Sequence, residues 1–248
     1  MAQRRVPSDV GGYVLAGGKS SRMGRDKALL ELAGRTLAWH AVTKLRRVCA
    51  DVQILTSRPE LEVFAPLVRD MQQGCGPLGG LEAALGHSWH EWNLFLPVDM
   101  PFLPSAFLDQ WVRAVVAREN RGARMAMFTV DGLPQPLFSM LHRDVTLFVH
   151  EAMQRGEYKV YPVLEATGRE LAARQGLALS AVLFNLPWDA HARFSGYQGP
   201  GKMEAWWAVT EAQQAAKHLW FANLNTPEEF AEAERHLDAL DTLAGAMG

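Results

Sequence analysis

The chain lacks the features that mark several large classes of protein. Its two cysteines, Cys49 and Cys75, form no C-x-x-C pair, which excludes a zinc or disulfide framework and suits a reducing cytoplasm. No apolar run reaches the roughly 18 residues of a membrane span, and the polar stretch 1–9 has no signal-peptide core. The net charge of −2 gives no basic footprint. We therefore expect a cytoplasmic protein with neither a nucleic-acid nor a membrane partner.

The spacing of the apolar segments predicts an α/β fold. Between residues 12 and 118, short apolar strands alternate with helices at the spacing of β-α-β units. We expect one domain over residues 1–248, with a single wound, mostly parallel sheet flanked by helices and a hairpin and helices in its C-terminal part. The stretch 177–217 is interpreted as an insertion. Residues 220–225 are expected to end a strand, and Thr226 to cap a helix that runs to about Leu243.

The most informative segment follows the first predicted strand. Residues 15–27 contain three glycines, two serines and four cations against one acid. Adjacent glycines let the backbone approach a ligand closely, and the charge favours an anion, so this turn predicts a bound phosphate chain. It is not a P-loop, because five residues separate Gly18 from Gly24 and Arg25 stands where a lysine is required. It is not a dinucleotide motif either, because Gly17 and Gly18 are adjacent.

Two further motifs stand at the expected ends of strands. Asp99 follows the fourth predicted strand between two prolines, and a carboxylate at a phosphate site is the natural ligand for Mg²⁺. Asp70 ends the third predicted strand and precedes the glycine-rich loop 74–80, which permits close approach of a flat purine. The eight histidines form no H-E-x-x-H motif, so we interpret them as surface or core residues rather than metal ligands.

Together these motifs resemble those of nucleotidyltransferases that activate a phosphorylated acceptor with an NTP. The run L-A-G-G-x-x-x-R-M-G-x-D-K at residues 15–27 is most similar to that of the molybdenum cofactor guanylyltransferases. Segments 76–81 and 97–104 resemble the family's guanine-binding and metal-binding motifs, and 223–229 is close to its N-x-N-T-P-E-E. The chain departs from the family at Val98, where a cysteine is usual. It also lacks an asparagine after the second strand.

The resemblance implies a Rossmann-like nucleotidyltransferase fold and a set of site residues. Arg22, Lys27 and Asp99 are implied to be catalytic, with Asp99 also the ligand of Mg²⁺. Asn223 and Asn225 are implied to bind the acceptor. The residues implied to bind the nucleotide are Leu15, Ala16, Gly17, Gly18, Lys27, Asp70, Gly76, Pro77, Leu78, Gly79 and Asp99.

The reaction implied by the resemblance is transfer of GMP from GTP to molybdopterin bearing molybdenum, with release of pyrophosphate. The implied partners are GTP, this molybdopterin, and proteins of cofactor synthesis or a molybdoenzyme chaperone. A cytidylyltransferase for the same cofactor and a sugar-phosphate nucleotidyltransferase are open alternatives, although the two glycine loops favour guanine. From a different class, a non-catalytic carrier of the finished cofactor would not need the metal-binding acid and would release no pyrophosphate.

Overall fold

The computed structural model describes residues 10–17, 26–69, 75–188 and 209–241. The strands are β1 Val10–Leu15, β2 Glu31–Leu32, β3 Arg35–Thr36, β4 Asp51–Leu55, β5 Leu67–Val68, β6 Trp92–Pro97, β7 Met125–Val130, β8 Leu133–His142 and β9 Leu183–Trp188. The α-helices are α1 Leu37–Leu45, α2 Gly76–His87, α3 Ser105–Val116, α4 Thr146–Gln154, α5 Val160–Gln175, α6 Leu179–Val182, α7 Glu211–Ala215 and α8 Pro227–Ala233. Among the described helices, none combines the length and the apolar character that a bilayer crossing requires.

Seven strands form one sheet in the order β5-β4-β1-β6-β8-β7-β9. Strands β5, β4, β1 and β6 are parallel, whereas β8 is antiparallel to both of its neighbours. The turn of the β7–β8 hairpin, Asp131–Gly132, has positive φ at both residues, as two-residue hairpin loops require. The prediction of a wound, mostly parallel sheet is confirmed, and the predicted hairpin is built into that sheet.

Helices cover both faces of the sheet because side chains alternate along each strand. In β1, Val14 packs in the core that α1 and α3 cover, whereas Tyr13 packs in the core that α2, α4 and α5 cover. The first of these cores also holds a cluster of contacting aromatic rings. Its members are Phe107, Trp111, Phe128, Phe138, Trp188, Trp220 and Phe221.

The stretch interpreted as an insertion begins inside the sheet. Residues 183–188 form β9, which pairs in parallel with β7 over its whole length. These residues form the strand at one end of the shared sheet, next to β7. Residues 189–208 lie outside the described residues, and the insertion remains a prediction for that range.

The C-terminal segment differs from the sequence prediction in two ways. Residues 220–225 form no strand, because Trp220 and Phe221 are buried by the aromatic cluster rather than by pairing in the sheet. Thr226 caps α8 as predicted, with a capping box to Glu229. The helix ends at Ala233, however, and a 3₁₀ segment, Glu234–Ala239, follows it with a break at His236.

Candidate active site

The loops that carry the predicted site residues begin side by side at one edge of the sheet. Leu15, at the end of β1, lies in register with Leu55 of β4 on one side and Pro97 of β6 on the other. Leu55 in turn pairs with Val68, the last residue of β5. Ligands of such sheets bind beyond the carboxyl ends of the strands. The register therefore brings the first glycine loop and the segment of Asp99 to the same edge.

Lys27 joins three segments that are far apart in the sequence. Its ammonium donates a 2.7 Å hydrogen bond to Asp99 Oδ2, 72 residues away, and a 2.5 Å hydrogen bond to Asn225 Oδ1, 198 residues away. The Lys27 and Asp99 side chains are 22% and 15% exposed, so the pair is accessible to ligands from solvent. The structure thus brings a predicted phosphate ligand, a predicted metal ligand and a predicted acceptor ligand into direct contact.

A short turn capped by Asp26 holds Lys27 in place. Asp26 Oδ1 accepts a 3.0 Å hydrogen bond from the amide of Ala28 and caps the start of the 3₁₀ turn Lys27–Leu29. The same carboxylate forms an ion pair with Arg58, in the segment after β4. Sequence analysis did not single out Arg58. The sequence does contain a signal for such a partner, because Asp26 is the one acid in a cationic run and a partly buried acid needs a cationic partner.

Asp99 is fixed by backbone contacts on both sides. The amide of Val98 donates to the carbonyl oxygen of Leu15 over 3.1 Å, which extends the pairing of β6 with β1 by one residue. The amide of Leu224 donates to the carbonyl oxygen of Asp99 over 3.0 Å and docks the C-terminal segment against this loop. The Val98 side chain is buried in the core, so the departure from the family's cysteine falls at a packing position.

Asn225 is oriented by its own hydrogen bonds. Its Nδ2 donates to the carbonyl oxygen of Asn223 over 2.9 Å, which leaves Oδ1 for Lys27. The amides of Asn225 and Thr226 both donate to the carboxylate of Glu229. The capping box of α8 therefore also positions the residue that contacts Lys27.

The predicted base-binding residues 76–79 form the first turn of α2 instead of the expected loop. The sequence favours this start, because Pro77 occupies the first turn, where its missing N–H costs no hydrogen bond. Gly76 and Pro77 are exposed, Gly79 is buried, and the Leu78 side chain is fully buried in the core. Contact of Leu78 or Gly79 with a nucleotide would therefore be through the backbone.

The remaining predicted nucleotide ligands fall into two groups. Ala16 is buried and its amide donates to the carbonyl oxygen of Leu55 over 3.3 Å, while Gly17 is exposed at the edge. Gly18, Arg22 and Asp70 lie outside the described residues.

The residues at this edge of the sheet are suited to binding a divalent cation together with a nucleotide. Mg²⁺ at nucleotide sites is bound by one or two carboxylates together with water and phosphate oxygens. Asp99 supplies one such carboxylate, and it already stabilises a positive charge, the ammonium of Lys27, at its Oδ2. Asp99 is therefore the residue that would hold the cation.

Lys27 contacts both Asp99 and Asn225 at the carboxyl edge of a mostly parallel sheet, which is the edge where ligands of such α/β sheets bind. Residues 12–172 match the family described as the MobA-like NTP transferase domain. This range covers more than half of the chain. The chain belongs to that family and is a nucleotidyltransferase.

Two relatives and one solved structure illustrate the similarity. The molybdenum cofactor guanylyltransferase of Serratia proteamaculans is 32% identical over 175 residues, which cover 68% of this chain and 85% of the relative. The molybdenum cofactor guanylyltransferase of Vibrio cholerae is 32% identical over 159 residues, with 62% and 76% covered. The molybdopterin-guanine dinucleotide biosynthesis protein A of Archaeoglobus fulgidus superposes with a TM-score of 0.64 at 19% identity. That superposition covers 93% of this chain and 100% of the other, and it supports the fold.

Proposed function

We propose that the chain transfers GMP from GTP to the terminal phosphate of molybdopterin bearing molybdenum, giving molybdopterin guanine dinucleotide and pyrophosphate. The contact of Lys27 with both Asp99 and Asn225 carries the proposal. It joins the residues assigned to the phosphates, the cation and the acceptor. The names of the relatives support this choice of donor and acceptor.

The proposed reaction needs neither a covalent nucleophile nor a strong general base. An oxygen of the acceptor phosphate is already anionic, and it attacks the α-phosphorus of GTP. The bond from that phosphorus to the β-phosphate oxygen breaks, and pyrophosphate leaves with the electron pair. The protein must therefore align two anions that repel each other and stabilise the charge of the leaving group. A bound Mg²⁺ would offset part of this charge.

Within this proposal, Lys27 and Asp99 exchange partners when the nucleotide binds. The Lys27 ammonium moves its hydrogen bond from Asp99 Oδ2 to phosphate oxygens, which frees the carboxylate for the cation. The hydrogen bond to Asn225 keeps the ammonium at the edge of the sheet during the exchange. Asn223 and Asn225 are assigned to the acceptor, and the exposed first turn of α2 at Gly76 and Pro77 to the base.

Three further nucleotide contacts are assigned from the sequence resemblance. Gly18 and Arg22 are assigned to the phosphates, and Asp70 to the guanine edge. The same geometry would also serve a cytidylyltransferase or a sugar-phosphate nucleotidyltransferase. Guanine is favoured by the names of the relatives.

The test measures pyrophosphate release and the dinucleotide product with GTP, Mg²⁺ and molybdenum-bearing molybdopterin. We expect Asp99→Asn and Lys27→Met to fold and to lose transfer by a factor of about 10² to 10³, as when one charge-stabilising donor is removed. Asp238→Asn and Lys159→Met change exposed residues of the same types and should keep the wild-type rate.

Competition among GTP, CTP and ATP identifies the base. Preference for CTP would support the cytidylyltransferase, and binding of the cofactor without release of pyrophosphate would support a carrier. Near-normal turnover of Asp99→Asn or Lys27→Met with GTP and Mg²⁺ would show that the residue roles are wrong.

A further inference from the structure

A cluster of side chains able to bind a metal lies on the C-terminal segment, separate from Lys27 and Asp99. His218 belongs to the 3₁₀ turn Lys217–Leu219, Glu232 to α8, and His236 to the 3₁₀ segment after it. One ligand atom from each of the three side chains lies within 4.8 Å of the other two. We propose that His218, Glu232 and His236 bind one divalent ion of the zinc type, contrary to the interpretation of the histidines from the sequence, where no spacing motif joins them.

Two of the three ligands are already at the right separation. His236 Nε2 lies 3.3 Å from Glu232 Oε1. Two ligands that are each about 2.0–2.1 Å from a tetrahedral Zn²⁺ are about 3.3 Å apart. The chain continues from α8 directly into the 3₁₀ segment, so Glu232 and His236, four residues apart, lie about one turn from each other. Glu232 Oε2 accepts a 2.6 Å hydrogen bond from Arg235, so Arg235 orients the carboxylate with Oε1 toward His236.

The third ligand needs only a side-chain adjustment. The rings of His218 and His236 are in edge-to-face contact, with centroids 5.4 Å apart. His218 is exposed, so its ring can rotate to bring a nitrogen into the coordination sphere without unpacking the core. The backbone leaves helical geometry at His236, with φ −123° and ψ 28°, at the residue that faces the turn of His218.

The donor set selects the type of ion. Two imidazole nitrogens favour Zn²⁺ and neighbouring transition metals over Mg²⁺, which prefers oxygen ligands. Three protein ligands leave a fourth position for water. The site therefore differs in chemistry from the carboxylate at Asp99, and Mg²⁺ would not compete with Zn²⁺ for the two histidines.

A bound ion would close a loop around part of the candidate active site. The chain between His218 and Glu232 carries Asn223 and Asn225, and Asn225 contacts Lys27. An ion that joins the two ends of this stretch would restrain the loop between them. The ion-binding proposal itself does not rest on the proposed function.

The test is a Zn²⁺ titration of the tag-free full chain by calorimetry and equilibrium dialysis, with Mg²⁺ in the buffer. We expect one Zn²⁺ per chain. At free Zn²⁺ of about 100 times Kd, the Tm should rise by about 5–10 °C. Hydrogen exchange of residues 218–236 should slow. Zinc affinity should fall as the pH is lowered, because a protonated imidazole cannot bind.

Matched variants assign the ligands. His218→Ala and His236→Ala should lose this stoichiometric zinc. Glu232→Gln should weaken zinc binding by at least about tenfold, because removal of a group that only supports the metal ligands already costs about that much. His150→Ala removes another exposed histidine that pairs with a glutamate, and it should bind zinc like the wild type. Unchanged zinc binding in the His218→Ala and His236→Ala variants, or no zinc bound by the wild type, would overturn the proposal. Asp99→Asn should keep the zinc, which separates failure of this site from failure of the proposed reaction.

Discussion

Two lysine–aspartate pairs link distant parts of the chain, one at the edge of the sheet and one, the interior pair, around a buried lysine. Lys27 and Asp99 meet at the edge, where both side chains are partly exposed. Lys44, in α1, meets Asp241 over 3.0 Å, and the Lys44 side chain is only 3% exposed. Asp241 is 16% exposed, much like Asp99, so the two pairs differ in the burial of the lysine. The Lys44 ammonium also donates to two backbone carbonyl oxygens in the segment before α3.

The two aspartates differ in how fully the protein satisfies them. Asp241 accepts hydrogen bonds from the backbone and hydroxyl of Ser105 and from Gln213 Nε2, in addition to Lys44. Burial alone would raise the pKa of Asp241, but the charge of Lys44 and the hydrogen bonds from Ser105 outweigh it and lower the pKa. The interior pair therefore stabilises the fold, whereas the pair at the edge can exchange partners with a ligand.

The largest expected effect on stability comes from removing the charge of Asp241. Asp241→Asn leaves the Lys44 ammonium buried without its counter-ion, and we expect it to lower the free energy of unfolding by about 3–5 kcal/mol. Urea denaturation measures this change. Asp238→Asn, at an exposed position nearby, should change stability by less than about 0.5 kcal/mol. A loss below about 1 kcal/mol in Asp241→Asn, which is the typical net contribution of an ordinary hydrogen bond, would contradict the assigned structural role.

A smaller effect on stability is expected when alanine replaces either of two glycines, one within β1 and one just after it. An added Cβ at Gly12, inside the sheet, would lie 2.9 Å from Cys49 Sγ, whereas one at Gly17, at the edge, would have its nearest contact at 3.6 Å, with the carbonyl oxygen of Leu55. We expect Gly12→Ala to cost about 1–3 kcal/mol by overpacking, and Gly17→Ala to leave stability within about 0.5 kcal/mol.

The two glycine variants should rank in the opposite order for GTP affinity and for stability. Gly17→Ala should weaken GTP binding, because the phosphates are proposed to approach the backbone there, and Gly12→Ala should bind GTP normally while folded. Fluorescence titration with a labelled GTP analogue measures this difference. Equal affinities of the two variants for the GTP analogue would show that Gly17 does not contact the phosphates.

The smallest expected effect is on the pH dependence of stability, since the pKa of Asp241 is lowered and its charge is therefore lost only in acid, outside the neutral range. The pKa of Asp241 is lower in the folded than in the unfolded state, so its contribution is full above the unfolded value of about 3.9 and is lost as the pH falls toward the folded value. The difference in unfolding free energy between wild type and Asp241→Asn should therefore shrink below about pH 4. Urea denaturation at a series of pH values measures it. A difference that stays constant into acid would show that the charge of Asp241 contributes nothing.

The sequence predicts the edge of the sheet well because local patterns determine it. Apolar strands followed by glycines, or by an acid between prolines, place Lys27 and Asp99 after parallel strands, and parallel strands end at a common edge. Packing decides the parts that were missed. The aromatic cluster holds residues 220–225 without a strand, and nothing in residues 183–188 taken alone indicates that they pair with β7. The partnership of Asp26 with Arg58 likewise depends on the fold rather than on spacing.

The contact between Lys27 and Asn225 has a consequence for biosynthesis. The two residues are 198 positions apart, so a chain emerging from the ribosome can form most of the sheet well before Asn225 has been made. Until then Lys27 lacks one of its two anchoring oxygens, and the docking of Leu224 on the Asp99 loop has not occurred. A nascent product would thus have an unfinished ligand site until its C-terminal segment has docked, and competence would arise as one of the last events of chain maturation.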